Sequence, residues 1–118
     1  MSRAERYQQR QQVECGLRVV DGAQQCLGTH FKHGLASLEP GAISFMYYVG
    51  GVRFLRHKPV RVAVVAVDRT DQRSVRFSEQ FSAMPGFHII RVFTGLATLE
   101  WVLPPEQTAW AAQQVKPQ

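Results

Sequence analysis

The sequence predicts a mainly β domain whose chain closes with a single helix. Three observations carry this. Runs of alternating apolar and polar residues follow one another from Val13 to Leu103, the pattern of half-buried strands. Turn-forming pairs punctuate them, among them Asp21-Gly22, Pro40-Gly41, Gly50-Gly51 and Pro85-Gly86. Pro104-Pro105-Glu106 then opens a helical stretch to about Val115, with proline in the first turn and an acid at the positive end of the helix dipole.

Met1–Gln12 is polar throughout and carries Arg3, Arg6 and Arg10 on a helix-forming background. With no apolar stripe it reads as a frayed helix or a flexible arm. Val13, Cys15, Leu17 and Val19 then alternate with Glu14, Gly16 and Arg18, a clean strand. Between Thr29 and Glu39 the apolar phase slips across Gly34, from Phe31 and Leu35 to Ala36 and Leu38, which predicts a bulge or bend at the glycine. Glu39-Pro40-Gly41 suits a type II turn. Ala42–Val49 is apolar on both faces, and Gly50-Gly51 predicts a hairpin into Val52–Leu55.

Val60–Val67 is the densest β-branched run and reads as one central strand. Asp68–Arg73 reads as a turn, with Asp68 and Asp71 as turn-formers. Val75 and Phe77 begin a further strand reaching toward Phe81. Phe87–Phe93 and Ala97–Leu103 complete the set, the last with Ala97, Leu99, Trp101 and Leu103 on one face. Glu14 and Glu100 occupy polar strand positions and read as surface charges. On the terminal helix Thr108, Ala111, Ala112 and Val115 share a face, with Trp110 nearly opposite. Either the small residues let the helix lie close on the sheet, or Trp110 plugs an open end.

A chain of 118 residues fits one domain, here 13–116 behind a polar arm at 1–12. At 45% hydrophobic and 19% charged residues it is globular rather than disordered. Its longest apolar run, Val62–Val67, falls far short of the roughly 20 residues that span a bilayer. The first twelve residues lack the apolar centre of an export signal. A cytoplasmic location, peripheral to a membrane, is expected. The formal charge of +5, from 14 Lys and Arg against 9 Asp and Glu, favours anionic partners at long range and also serves solubility. Cys15 and Cys26 are expected as free thiols; a bridge would need Cα atoms within about 7 Å.

About seven short strands with a C-terminal capping helix resemble a pleckstrin-homology-like domain, a bent antiparallel sandwich or partly open barrel closed by one helix. A closer likeness lies in His30-Phe31-Lys32-His33-Gly34 followed by Leu35–Gly41. That phrase is similar to the aromatic, basic, histidine, glycine, strand and turn-glycine opening of a family of actinobacterial proteins of unknown function. Those proteins carry a membrane helix ahead of a pleckstrin-homology-like domain. The likeness covers roughly Val13–Val115, with Phe31 where the family has tryptophan. It implies a fold and a membrane-associated setting, and no reaction.

Arg53, Arg56, His57, Lys58 and Arg61 form the sharpest local cluster, around a turn at Lys58-Pro59 and flanked by Phe54 and Leu55. Guanidinium forks match phosphate oxygens and lysine adds a point charge. In pleckstrin-homology-like domains, basic residues on strand-connecting loops serve acidic headgroups in this way. The competing reading is a charged edge that discourages strand-to-strand aggregation. His30, Lys32 and His33 form a second basic spot. The two histidines fall on opposite strand faces and His57 and His88 are scattered, so neither a metal nor a cofactor is expected. No nucleophile–base pair or nucleotide-binding loop is legible, and an enzyme is not expected.

The expected function is therefore a binding module for an acidic ligand, an anionic lipid headgroup or an acidic protein. The alternative is a nucleic-acid-binding barrel that stacks bases on Tyr47, Tyr48, Phe54 and Phe77 among Arg53, Arg56 and Arg76. A scaffold whose edge strand pairs with a peptide stands third.

Overall fold

The structure, a computed structural model, describes residues 1–50, 52–74 and 86–118, with 53 and 71–74 described by backbone alone. A short helix α1 (Arg3–Gln9) precedes strands β1 (Gln12–Gly22), β2 (Lys32–Glu39), β3 (Ala42–Val49), β4 (Val52–Arg56), β5 (Val60–Ala63), β6 (Ala66–Ser74), β7 (His88–Phe93) and β8 (Ala97–Leu103). A 3₁₀ turn (Pro105–Gln107) leads into α2 (Thr108–Val115). The strands form one antiparallel sheet in the order β4-β3-β2-β1-β8-β7-β6, with β5 paired to the other half of β3.

β1 is the pivot of the sheet. Its first half pairs with β2 and its second with β8, and the register shifts between Val19 and Asp21. The sheet's two outer ends approach at Val64–Val65: the Val64 amide donates to Gly41 (2.8 Å) and the Val65 amide to Phe93 (2.8 Å). The expected strand 60–67 therefore breaks in two at this corner. Nothing in a uniform β-branched run marks the break. Two carbonyls brought from opposite ends of the sheet impose it.

The expected turn at Asp68–Arg73 is instead part of β6, held to β7 across a register shift between Asp68 and Arg73. Asp68 still makes the local bonds of a turn-former: its carboxylate accepts from the Thr70 hydroxyl (2.6 Å) and amide (2.8 Å). Those two bonds, the hydroxyl's first, hold its pKa below the ordinary value. The strand expected from Val75 to Phe81 lies outside the described residues.

Val13, Cys15, Leu17, Ala36, Ile43, Phe45, Val62, Val92, Leu99, Trp101 and Leu103 fill the main core with the small face of α2. Ala111, Ala112 and Val115 let that helix lie close on the sheet, and Gly41 donates to the Val115 carbonyl (3.0 Å). Trp110 turns aside to line a hollow with Glu5, Gln8 and Gln9 of α1.

No bulge forms at Gly34. β2 keeps unbroken register on both sides, Cys15 opposite Gly34 and Gly34 opposite Tyr47. A Cβ at Gly34 would stand 2.3 Å from the Met46 carbonyl oxygen and 2.5 Å from the Tyr47 Cα, so the glycine permits a close backbone crossing. The slip of apolar phase arises because both faces of β2 are covered: Ala36 enters the main core and Leu35, 1% exposed, lies on the outer face.

That outer face holds a second small cluster, Ile89 and Val102 with Phe31 and Phe87. Beside it Arg18 donates from Nε (2.8 Å) and Nη2 (2.5 Å) to Glu100 and lies 4.5 Å over the Phe31 ring. Glu100 is thus no surface charge; it is 7% exposed. Glu14, likewise, accepts from Arg3 (2.9 Å) and from the Tyr48 hydroxyl (2.7 Å). The Arg3 contact ties α1 to the sheet, and the Gln107 amide, which donates to the Ala4 carbonyl (3.2 Å) and the Gln8 side chain (3.0 Å), ties it to the 3₁₀ turn. The arm is a helix, capped by Ser2, although it buries none of its own residues. Both cysteines are free.

Candidate functional site

The β3–β4 hairpin and the segment leading into β5 carry the expected basic cluster. β3 grows more exposed toward its end, and Gly50 at φ 62° turns the chain back. Among the described residues β4 pairs with β3 at Tyr48–Arg56 and Val49–Val52, with a register shift between them. Pro59 supplies no amide and fixes φ, so the ladder lapses over 57–59 before β5 rejoins β3. The result is an arm that projects beyond the core. Phe54 is 81% exposed, Leu55 51% and Val49 46%.

The structure divides the five candidate residues. Arg56 and Lys58 are exposed on the arm, and His57 between them is half-buried. The His57 amide donates to the Tyr47 carbonyl (2.8 Å), and Nδ1–H donates to the Lys58 carbonyl (2.7 Å). Its ring stacks on Tyr47 at 4.3 Å and 13°. Arg61 lies elsewhere: it faces the outer side opposite Ser44 and pairs with Glu39 (2.5 Å). Four residues of β3 separate that position from Tyr48, about 13 Å along the strand. The side chain of Arg53 lies outside what is described, as do Arg76 and Phe77.

Lys32, from the second basic spot, joins the site. Its Nζ sits 3.9 Å over the Tyr47 ring and donates to the Cys26 carbonyl (2.9 Å). A stacked imidazole and an ammonium at these distances cannot share one ring face. Tyr47 therefore stands between Lys32 and His57, and cation–π attraction is worth about 0.5–1 kcal/mol at an exposed site. No local sequence signal announces this column, because its members come from three segments. His33 turns the other way, its ring edge-on to Tyr48 at 5.2 Å. A hollow of about 400 Å³ beside the hairpin is lined by Phe31, Lys32, His33, Tyr47, Tyr48, Val49 and Gly50.

The aromatics proposed for base stacking are thus differently placed. Tyr47 is covered on both faces and Tyr48 is bonded to Glu14, while Phe54 stands open. Among the described residues, no group of three His, Cys, Asp or Glu side chains is placed to hold a metal ion. Cys15 is fully buried, and burial pushes its thiol up to about 12. Among the described residues no helix is long and apolar enough to cross a membrane. No protein-family model, no curated protein and no solved structure matches this chain.

Proposed function

We propose that the domain is a non-enzymatic binding module of pleckstrin-homology-like build that recognises an anionic membrane surface on the cytoplasmic side of a bacterial membrane. The bent antiparallel sheet closed by a terminal helix supports that build. One observation carries the functional reading: the cations are sorted. Arg3, Arg18 and Arg61 each face a carboxylate. Arg6, Arg10, Arg56, Lys58 and Lys116 are exposed with no acid within ion-pair distance among the described residues, and of these Arg56 and Lys58 stand together on the projecting arm beside exposed apolar side chains. Paired cations cannot be offered to a ligand without losing their partner. These two can, and a net charge of +5 adds long-range attraction. The one deeply buried thiol, held protonated, is unsuited to nucleophilic work.

Sedimentation with anionic and neutral vesicles tests this. A basic residue near an anionic surface contributes about 1 kcal/mol, so losing two weakens binding by roughly thirtyfold. Arg56→Glu with Lys58→Glu should do at least this and leave the circular dichroism unchanged. Equal binding by wild type and variant would remove these cations from the reading. Binding to single-stranded oligonucleotide, steeply salt-dependent and without any vesicle binding, would favour the nucleic-acid alternative.

A further inference from the structure

We infer that the β3–β4 arm does more than touch an anionic bilayer: Phe54 and Leu55 enter its headgroup and acyl boundary, with Arg56 and Lys58 held at the phosphates. This rests on the membrane reading above and adds a mode of attachment to it. Neighbouring residues of a strand point to opposite sides. On a strand that covers a core, one of each pair is buried. Phe54 and Leu55 are adjacent and both stand in solvent, so β4 covers nothing with either face at this point. Val49, opposite Val52 at the base of the turn, extends the apolar surface.

Other large apolar residues are exposed, notably Val65 and Leu96. Those two have no basic residue within two positions in the chain, and the arginines nearest the exposed Met1 and Val20, Arg3 and Arg18, are each paired with a carboxylate. Among the described residues, this arm sets two adjacent exposed apolar side chains beside two exposed cations that have no ion pair. That combination, an apolar body rimmed by positive charge, matches the boundary of an anionic bilayer. It does not suit a second copy of the chain, which would bring Arg56 and Lys58 against their own counterparts. It also goes beyond headgroup capture, which needs the charges and leaves Phe54 without a task.

The experiment uses the full chain, vesicles of equal parts phosphatidylglycerol and phosphatidylcholine, and a monolayer of the same mixture. Wild type should bind the vesicles and raise the monolayer's surface pressure. Phe54→Ser with Leu55→Ser removes two exposed side chains and leaves the core untouched. Each loses about tenfold in affinity, so the pair should weaken vesicle binding by about a hundredfold and abolish the pressure rise. The remaining binding should vanish at high salt, as charge alone does. Undiminished vesicle binding by the double variant, or wild-type binding without a pressure rise, would overturn insertion while leaving the surface reading in place. Absence of wild-type binding to anionic vesicles would remove both. A reversible dimer that the same double variant dissolves would assign the apolar arm to self-association and overturn the proposal.

Discussion

Replacing Gly34 by alanine should damage the fold far beyond what a methyl group suggests. The added Cβ would lie 2.3 Å from the Met46 carbonyl oxygen and 2.5 Å from the Tyr47 Cα, where ordinary contact begins at 3.4 Å. Both obstacles are backbone, and β3 is itself held on its far side by β4 and β5. Relief requires β2 and β3 to part by about 1 Å, which breaks the nearest ladder bonds. Overpacking of this kind costs about 1–3 kcal/mol, and each lost backbone bond about 1 kcal/mol more. A total near 4 kcal/mol is a large share of the 5–15 kcal/mol that holds a typical domain together, and it corresponds to roughly 15 °C in Tm. The displaced residue is Tyr47, so the near-ultraviolet circular dichroism should change with it. Gly28→Ala is the matched control: nothing lies within 4 Å of its Cβ, and the change should be neutral or stabilising by up to about 1 kcal/mol. Urea unfolding of both variants decides the matter. Gly34→Ala within about 1 kcal/mol of wild type would refute the crossing as a steric requirement.

Three further outcomes follow from the buried groups. Arg18→Ala removes the guanidinium that faces the buried Glu100 and should destabilise by about 2–3 kcal/mol, whereas Arg18→Met with Glu100→Leu should recover most of that loss in the same urea assay; a double variant no better than the single would contradict it. A thiol reagent should label Cys26 alone in the folded chain and reach Cys15 only on unfolding. The same burial makes stability depend on alkali. The Cys15 thiol ionises near 9.0 when unfolded but near 12 when folded, so its contribution is complete below pH 9.0 and is lost progressively toward 12. The slope is at most about 1.4 kcal/mol per pH unit, and Cys15→Ala should lack it relative to wild type.

Much of the scaffold is legible in the chain because strand periodicity and turn chemistry are local. The alternation from Val13 to Val19 does bury its odd residues, and Gly41 at φ 79° takes the conformation its turn was expected to need. The misreadings share one cause. Gly34 looked like a bulge because a one-faced strand was assumed, yet Leu35 is buried as fully as its neighbour Ala36, which points to the other face. Glu100 looked exposed because its partner, Arg18, stands in β1, at the opposite end of the sequence. The division of Val60–Val67 follows from the carbonyls of Gly41 and Phe93.

The candidate site shows the same limit. Composition and spacing marked Arg56, His57 and Lys58 as a basic group beside apolar neighbours. They could not show that Arg61 is paired with Glu39, that Lys32 meets His57 across Tyr47, or that Phe54 is left uncovered.

The sequence alone determined strands such as Ala42–Val49 and Ala97–Leu103, that one helix closes the chain, and which cations lie close along it. Those properties follow from φ/ψ limits and side-chain periodicity, which act over a few residues. Tertiary structure decided which charges are neutralised and which apolar side chains remain in water. Both depend on neighbours brought from distant segments, such as Phe31 and Phe87, which cover part of the sheet's second face.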